Sequence, residues 1–299
     1  MKTYTLKKSF LKNIRMFFIL SAVLLAGCKP AIPPTPIPLT KAITGVKAPC
    51  ENLVFGGFPR KEPIVNGTFF ICRKESYVLN LDPRRKTPEW VAEDLAATNL
   101  NSPDKFEKIN DSRPDPLLPR SAQAKLNDYI GTGYKELLLA SPNDFKYNDV
   151  AYSHSYYLSN AVPQYPGQSV TWRALNTAVR ELAKTRGELY IISGPVYVSG
   201  VGLGWIGVPD DINASGNRAN IGKIEVPTDL FKILIDPKRH QSIAFLIPNT
   251  ATYGAPLSSF VVSIAQIEQL TQMRIAPDLS LKDQAALKTQ RDVSKWTIR

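Results

Sequence analysis

Histidine and cysteine, which are the side chains best suited to transfer a proton near neutral pH or to bind a soft metal, are scarce in this sequence. Its 299 residues include only two histidines and three cysteines, which are His154, His240, Cys28, Cys50 and Cys72. This set is too small for a typical Cys/His zinc cluster. We expect His154 to be a loop or surface histidine, and we expect His240, which lies in a charged turn, to be solvated.

Acidic residues offer a second source of chemistry. Glu136 could act as a carboxylate base if its surroundings raised its pKa, but the neighbouring Lys135 would tend to lower it. Asp144 and Asp149 could supply oxygen ligands to a metal, although their segment is first of all typical of a turn-rich loop. The sequence contains no G-x-S-x-G elbow, so a serine hydrolase finds no support.

A cluster of glycines at 200–207 is the only segment that suggests phosphate binding by backbone amides. No helical pattern follows it, which favours a hairpin or loop. An activity that depends on ATP or a dinucleotide therefore finds no support.

The body of the chain alternates short strands with helices. Strands are predicted at 77–81, 189–193, 196–198, 231–235 and 243–247, where β-branched and aromatic residues lie between turn signals. The clearest helix is predicted at 172–184, with Ser169 or Thr171 as its cap. A second helix is expected at 264–270 and a charged helical tail at 281–296. With 43% hydrophobic and 21% charged residues, the chain can form a packed core.

The N-terminus has the pattern of an export signal. Basic residues 1–15 precede an apolar run at 16–25, which is too short to span a bilayer. The segment that ends at Cys28 resembles the bacterial lipobox, so we predict a signal peptide at 1–27 and a lipid on Cys28 that anchors the chain in a bilayer. The alternative is an ordinary signal peptide with a chance cysteine. Five prolines within residues 30–38 predict an extended, proline-rich tether at 28–46.

Export changes both the charge and the cysteine chemistry. The formal net charge falls from +11 to +6 once the signal's five cations are removed, which are Lys2, Lys7, Lys8, Lys12 and Arg15. This charge is compatible with an anionic partner but does not require one. Cys50 and Cys72 remain as a pair in an oxidising compartment and are predicted to form a disulfide. The alternative is two separately buried thiols.

Several segments carry a family resemblance in a common order. Residues 77–91 read YVLNLDPRRKTPEWV, residues 156–164 read YYLSNAVPQ, and Trp172 with Arg180 fits the pattern W-x-x-L-E-x-x-x-R. Later segments at 194–197, 226–232 and 245–249 follow in the same order. Together they resemble the DNA/RNA non-specific endonucleases, the ββα-metal nucleases that include the mitochondrial endonuclease.

The resemblance implies a fold and a mechanism. The fold would be α+β, a single mixed domain at 47–279 with a central, mainly antiparallel sheet flanked by helices, followed by the charged tail at 280–299. Family members hydrolyse phosphodiesters with one divalent ion, usually Mg²⁺, held chiefly by an asparagine. A histidine in the motif DRGH takes a proton from the attacking water. Some relatives dimerise, so the resemblance also allows a homodimer.

The motif that should carry the base is altered in this sequence. Residues 128–134 resemble the approach DYxGSGY, but DRGH is replaced by Lys135, Glu136, Leu137 and Leu138. Leu138 stands where the resemblance places the catalytic histidine, and its side chain cannot accept a proton. The resemblance thus implies a degenerate base position.

The other site residues are partly kept. Gln168 stands at the metal position of the family's asparagine, Asn176 replaces the helix glutamate, and Arg180 is retained on the same helix face. Retained Asn160 and the turn cations Arg84, Arg85 and Lys86 are candidates for binding nucleic acid, although each could equally be structural.

Three functions follow as hypotheses. The leading one is a lipid-anchored protein of this family in a bacterial cell envelope, which binds nucleic acid but has weak or no hydrolytic activity. Lys29 favours the outer membrane, with the domain facing the periplasm or the cell surface. The second is an active, Mg²⁺-dependent endonuclease with a rebuilt site that uses Gln168, with Glu136 or His154 as base. The third is an envelope lipoprotein that uses the fold to contact other proteins.

Overall fold

The computed structural model describes residues 50–62, 67–103, 111–207 and 224–298. The signal at 1–27, Cys28 and the tether at 28–46 lie outside these residues. The described helices are α1 Ala97–Leu100, α2 Asp149–Ser155, α3 Ser169–Arg186, α4 Ile264–Thr271 and α5 Leu281–Lys288. The first strands are β1 Arg60–Lys61, β2 Phe69–Arg73, β3 Tyr77–Asp82, β4 Thr87–Ala96, β5 Lys135–Leu138, β6 Ala161–Gln164 and β7 Glu188–Val196. They are followed by β8 Gly204–Ile206, β9 Ile224–Val226, β10 Asp229–Asp236, β11 Gln241–Pro248, β12 Val261–Val262 and β13 Met273–Arg274.

A seven-stranded sheet forms the centre of the described chain. Its strand order is β12-β11-β10-β7-β4-β3-β2, and every neighbouring pair is antiparallel. The predicted α+β fold with a central antiparallel sheet is therefore confirmed. The glycine-rich segment forms the short hairpin strand β8, which pairs with β9.

One strand differs from its prediction. The two strands expected at 189–193 and 196–198 are a single strand, β7, and a 3-10 turn begins at Val198. Gly194 lets the strand continue because a β-carbon there would lie 2.6 Å from the Phe231 ring and 2.7 Å from the carbonyl oxygen of Glu89. Only glycine fits this close approach between neighbouring strands.

Each face of the sheet packs against helices. On one face, strand residues such as Leu79 and Val91 pack with Trp172, Leu175 and Val179 of α3. The other face packs against α4 and α5, with its strand and helix residues in one cluster that includes Val78, Trp90, Ile233, Ile264, Ile267 and Leu287. Alternation along the strands thus supplies both apolar layers.

Helix α3 is longer than its predicted range of 172–184. It begins at Ser169 without a side-chain cap, because a 3-10 turn at Pro166–Gln168 runs directly into it. The predicted caps bind elsewhere: the Ser169 hydroxyl donates to the carbonyl oxygen of Pro166, and the Thr171 hydroxyl donates to that of Thr252. The helix ends at Arg186, and the following Gly187 has a φ of 94°, which is unfavourable for other residues.

The C-terminal segment belongs to the folded domain. Its helix, α5, ends at Lys288 rather than near residue 296, and residues beyond it fold back onto the core. Trp296 is buried beneath the guanidinium of Arg186, which lies 4.0 Å from the ring centroid. The Lys288 ammonium lies 2.6 Å from the Glu268 carboxylate on α4. Burial of a large aromatic side chain explains why the segment leaves the helical path.

The predicted disulfide between Cys50 and Cys72 is confirmed. It joins the start of the domain to β2 and closes a loop with a sequence separation of 22. A loop of this length contributes about 3 kcal/mol in the chain-entropy description. Within the described ranges, no helix has the length and apolar character needed to cross a bilayer.

Candidate active site and nucleic-acid interface

A tight turn positions the strand that carries the altered motif. Gly131 and Gly133 have φ values of 72° and 82°, which glycine adopts without strain. They direct the chain into β5, which pairs with β6 so that Glu136 lies opposite Pro163 and Leu138 lies opposite Ala161. The two motifs that suggested the family, at 128–138 and 156–164, are thus direct neighbours.

Leu138 lies in apolar surroundings. Its side chain is partly buried and packs against a cluster made of Ala124, Tyr129, Leu158, Ala161, Ile206, Ile224 and Val226. An aliphatic side chain in this setting can neither accept a proton nor orient a water molecule. This position contributes packing rather than proton transfer.

Glu136 is the carboxylate nearest to Leu138 along β5. Residues two apart share a face of a strand, so Glu136 and Leu138 point to the same side. The Oε1 of Glu136 accepts a hydrogen bond from the Ser112 hydroxyl at 3.4 Å. Burial, followed by the charge of Glu136, raises the pKa of the Tyr129 phenol.

Gln168 is turned into the protein. Its side chain is completely buried, and its Oε1 accepts a hydrogen bond from Nε2 of Gln164 at 2.8 Å. Its Nε2 donates to the carbonyl oxygens of Ile247 and Pro248, both at 3.1 Å. A metal ligand would need an accessible oxygen, so this residue does not fit the metal role that the resemblance gives it. Among the described residues, no group of three or more His, Cys, Asp or Glu side chains could hold an ion.

Asn160 also makes its hydrogen bonds inside the fold. Its Oδ1 accepts from the backbone N–H of Ala140 at 2.9 Å, and its Nδ2 donates to the carbonyl oxygens of Ala140 and Ser155 at 2.9 and 2.8 Å. The side chain is fully buried. It holds the chain after β5 and faces no open surface, so the structure gives it a structural place rather than one at a nucleic-acid interface.

Arg180 and Asn176 follow Trp172 along one face of α3, as their spacing predicts. The Arg180 Nη1 donates to Oδ1 of Asp144 at 3.1 Å, and its Nη2 donates to the Thr177 hydroxyl at 3.2 Å. Asn176 is half-buried. Asp144 is therefore engaged in an ion pair with Arg180 through its Oδ1.

Arg180 belongs to a buried ionic network between α3 and the sheet, which we define as Glu93, Asp144, Arg180 and Lys232. The Lys232 ammonium donates to the Ser193 hydroxyl at 2.7 Å. Burial and then the charge of Asp144 raise the pKa of Glu93, and burial lowers the pKa of Lys232. Burial also raises the pKa of Asp144, against the opposing effect of Arg180.

No sequence motif indicates Glu93 or Lys232, but the alternation of side chains along their strands could have revealed both. Glu93 alternates with Val91 and Leu95 on the face of β4 toward α3. Lys232 lies between Leu230 and Leu234 in the same way on β10. Ionisable residues at core-facing strand positions indicate a buried ion pair, because an isolated buried charge would be strongly unfavourable.

The turn cations differ from one another. Arg84 binds the buried carboxylate of Asp82 but leaves 73% of its side chain exposed. Arg85 is held by Glu225 at 2.6 Å and lies 4.1 Å from the Tyr197 ring centroid. Lys86 occupies the turn with a positive φ of 54°. Arg84 and Arg85 line a cleft of about 730 Å³ that also includes Lys61, Gln266 and Gln269.

Neither histidine lies in the apolar cluster around Leu138. His154, on α2, stacks on Tyr157 at a centroid distance of 5.8 Å, and the guanidinium groups of Arg73 and Arg113 each lie 4.3 Å from the Tyr157 centroid. Burial and then the charge of Arg73 lower the pKa of His154. His240 is exposed in the turn between β10 and β11, with a φ of 52°.

Comparison with known proteins gives the class that this fold and these motifs define. The sequence profile of the DNA/RNA non-specific endonucleases matches residues 63–282, so the chain belongs to the DNA/RNA non-specific endonuclease family. This result confirms the family predicted from the sequence motifs. The nucleases of this family are metal-dependent.

Individual relatives agree with this assignment. The chain is 30% identical over 235 residues to mitochondrial nuclease EXOG of Danio rerio, which covers 76% of this chain and 65% of that protein. It is 29% identical over 213 residues to mitochondrial endonuclease G of Homo sapiens, with 69% of each chain covered. The alignments span 57% to 65% of the length of the EXOG relatives from four vertebrates.

A solved structure supports the fold. EndoG in its complex with EndoGI superposes with a TM-score of 0.60 over 74% of this chain and 89% of that chain, at 23% sequence identity.

Proposed function

We propose that this chain is a nucleic-acid-binding member of the family whose phosphodiester hydrolysis is weak or lost. The observation that carries the proposal is the packing of Leu138 in an apolar cluster at the position that the family motif assigns to the general base. Water has a pKa of about 15.7, so it needs a base or a metal to attack a phosphodiester at neutral pH. Loss of a general base alone commonly lowers the rate by about 10²- to 10⁴-fold.

The buried side chain of Gln168 supports the same proposal. The family's ion would polarise the phosphate and activate water, but the oxygen of Gln168 is bound to Gln164 and has no exposed surface. We therefore expect nucleic-acid binding that does not require Mg²⁺. Arg84, whose guanidinium is largely exposed, is the best placed of the predicted turn cations to contact phosphate.

The test combines cleavage with binding by the purified mature chain. We expect no Mg²⁺-dependent nicking of supercoiled plasmid under conditions in which human endonuclease G cleaves it. We also expect binding to duplex DNA that persists in EDTA and weakens steeply as salt rises, because phosphate contacts release counterions. Absence of DNA binding at low salt would overturn the proposal and favour the protein-contact alternative.

An active enzyme with a rebuilt site is the second candidate, and the position of Glu136 on the same strand face as Leu138 favours it. In that case the chain would nick plasmid, and Glu136→Gln would abolish the activity. The matched control Glu181→Gln, at an exposed carboxylate on α3, would not. This pattern would replace the first proposal.

Membrane attachment through Cys28 in a bacterial envelope is the cellular part of the proposal, and it rests on the lipobox-like sequence. Radiolabelled palmitate should enter the wild-type chain and not the Cys28→Ser variant, and the variant should leave the membrane fraction. Retention of the variant in that fraction would argue against the anchor.

A further inference from the structure

Three tyrosines lie on the loops beside the start of α3, and two of them are exposed. Tyr134 immediately precedes β5, Tyr165 immediately follows β6, and Tyr253 lies in the turn after β11. Tyr165 and Tyr253 leave 42% and 67% of their surface exposed. The rings of Tyr134 and Tyr165 meet edge to face at a centroid distance of 6.4 Å. Tyr134 is half-buried and packs against the cluster around Leu138, so it supports the edge of the Tyr165 ring. The rings of Tyr165 and Tyr253 are open to solvent.

Hydrogen bonds hold these loops in one arrangement. The backbone N–H of Tyr165 donates to Oδ1 of the buried Asn249 at 2.8 Å. The hydroxyl groups of Thr171 and Thr252 are 2.7 Å apart, and the N–H of Thr252 donates to the carbonyl oxygen of Gly167. The loop that carries Tyr253 is thus fixed to the first turn of α3, so little backbone ordering would be needed on binding.

Two glycines shape the surface. A β-carbon on Gly167 would lie 2.8 Å from the Tyr165 ring and 3.1 Å from the backbone of Ala251, so the ring rests where a side chain would otherwise stand. Gly254 has a φ of 74° and completes the turn closed between Thr252 and Ala255. Tyr253 occupies the corner of this turn, which presents its ring to solvent.

Two exposed cations lie on the elements that adjoin these loops. Lys135 directly follows Tyr134 and is exposed, and Arg173 is exposed on α3, one turn after the half-exposed Val170. Neither cation has an ion-pair partner among the residues that the structure describes. Proteins that bind single strands combine cationic side chains, which contact the phosphate backbone of the nucleic acid, with aromatic rings. A ring can stack on the face of any base.

We propose that Tyr165, supported by Tyr134, and Tyr253 form a stacking surface for the unpaired bases of single-stranded nucleic acid, with Lys135 and Arg173 attracting its phosphates. This inference rests on the proposed function and specifies its ligand. Bases in a duplex are already stacked on one another, so the surface favours single strands over duplexes.

The test measures fluorescence anisotropy of the full mature chain with a 12-nucleotide oligothymidylate and with a duplex of equal length. Tyr253→Ala should weaken single-strand binding by about 5- to 150-fold at fixed salt, the effect of losing one stacked base. Duplex binding should change less than about 2-fold. Tyr253→Phe should restore single-strand binding, and Leu281→Ala, at another strongly exposed position, should have no effect.

The outcomes separate this inference from the function on which it rests. If the wild type binds both ligands and Tyr253→Ala leaves single-strand affinity unchanged, the stacking surface is wrong and the proposed function stands. An equal loss on both ligands would also overturn base stacking. If the wild type binds neither ligand, the proposed function fails and the stacking surface fails with it. Thermal unfolding of each variant at the wild-type temperature shows that the fold is intact.

Discussion

The family resemblance assigns Leu138 and Arg180 to one active site, but their surroundings differ. Around Leu138 the neighbours are almost entirely apolar. Around Arg180, which is itself 19% exposed, two acids and one further basic residue are buried: Glu93, Asp144 and Lys232. Moving a charged group out of water is unfavourable by several kcal/mol unless opposite charges and hydrogen bonds compensate it. Ionisable side chains persist in this core where groups of opposite charge surround them, whereas the position of the catalytic base is filled by apolar packing.

Removal of a cation from the ionic network should have the largest effect. Lys232→Met leaves Glu93 and Asp144 without one of their two cations, and we expect it to lower the free energy of unfolding by about 3–5 kcal/mol. Urea denaturation measures this change. Lys184→Met is the matched control, because Lys184 pairs with Glu181 on the surface and should change stability by less than about 0.5 kcal/mol. Similar effects of the two substitutions would show that Lys232 does not balance the charges of the buried acids.

Substitution of Gln168, the buried residue at the family's metal position, should have the next largest effect on stability. Gln168→Ala leaves the Gln164 amide without its acceptor, so we expect the free energy of unfolding to fall by about 1–3 kcal/mol. Addition of Mg²⁺ should leave the melting temperature of the wild type unchanged. A Mg²⁺-dependent rise in the wild type that Gln168→Ala removes would show instead that this residue binds the ion.

Asp94, which is next to Glu93 in the chain, tests with a smaller effect whether a partly buried charge is unfavourable when it is not balanced. Asp94 follows Glu93 but points to the opposite face of β4. Burial, then the charge of Glu188, raises the pKa of Asp94 to about 6, although Lys238 acts in the opposite direction. The folded state then binds the proton more tightly than the unfolded state, so stability falls as the pH rises from about 4 to about 6.

The substitution Asp94→Asn removes the loss of stability that occurs as the pH rises. After allowance for solvent screening, we expect the variant to be about 1 kcal/mol more stable than the wild type at pH 7.5 and nearly equal to it at pH 4. Denaturation curves across this pH range measure the difference. A variant that is less stable at pH 7.5 would show that Asp94 has a favourable partner.

The exposed turn cation should give the smallest change. Arg84→Ala should weaken duplex DNA binding about 2- to 5-fold and reduce the slope of log affinity against log salt by about 1, as expected for one phosphate contact. Anisotropy titrations at several salt concentrations measure both. Lys282→Ala, on the exposed side of α5, serves as the control. Equal effects would indicate general attraction by net charge.

Much of the fold could be predicted from the sequence because its signals are local. Strands β3, β10 and β11 follow apolar and β-branched runs, and helix α3 follows the spacing of Trp172, Leu175 and Val179. The disulfide followed from the small number of cysteines. The ordered motifs supplied the family. These features depend on neighbouring residues or on the order of segments, which a single sequence contains.

The site was less predictable because its hydrogen bonds join distant segments. Gln168 is bound by carbonyl groups 79 and 80 residues further along the chain. The side-chain amide of Asn160 is hydrogen-bonded to the backbone of Ala140, which comes 20 residues earlier. No local pattern shows that these amides turn inward. The family motif predicts their place in the chain, but their direction depends on three-dimensional packing.

The bond between Cys50 and Cys72 has a mechanical consequence. Cys50 directly precedes the 3-10 turn at Glu51–Leu53, which is closed by the backbone hydrogen bonds from Leu53 to Cys50 and from Val54 to Glu51. Because Cys50 is covalently joined to β2, tension applied at the N-terminal side of the domain passes into a strand that is in register with β3 over five residue pairs. The sheet would therefore carry a load from the preceding chain, and the first turn would be protected from it.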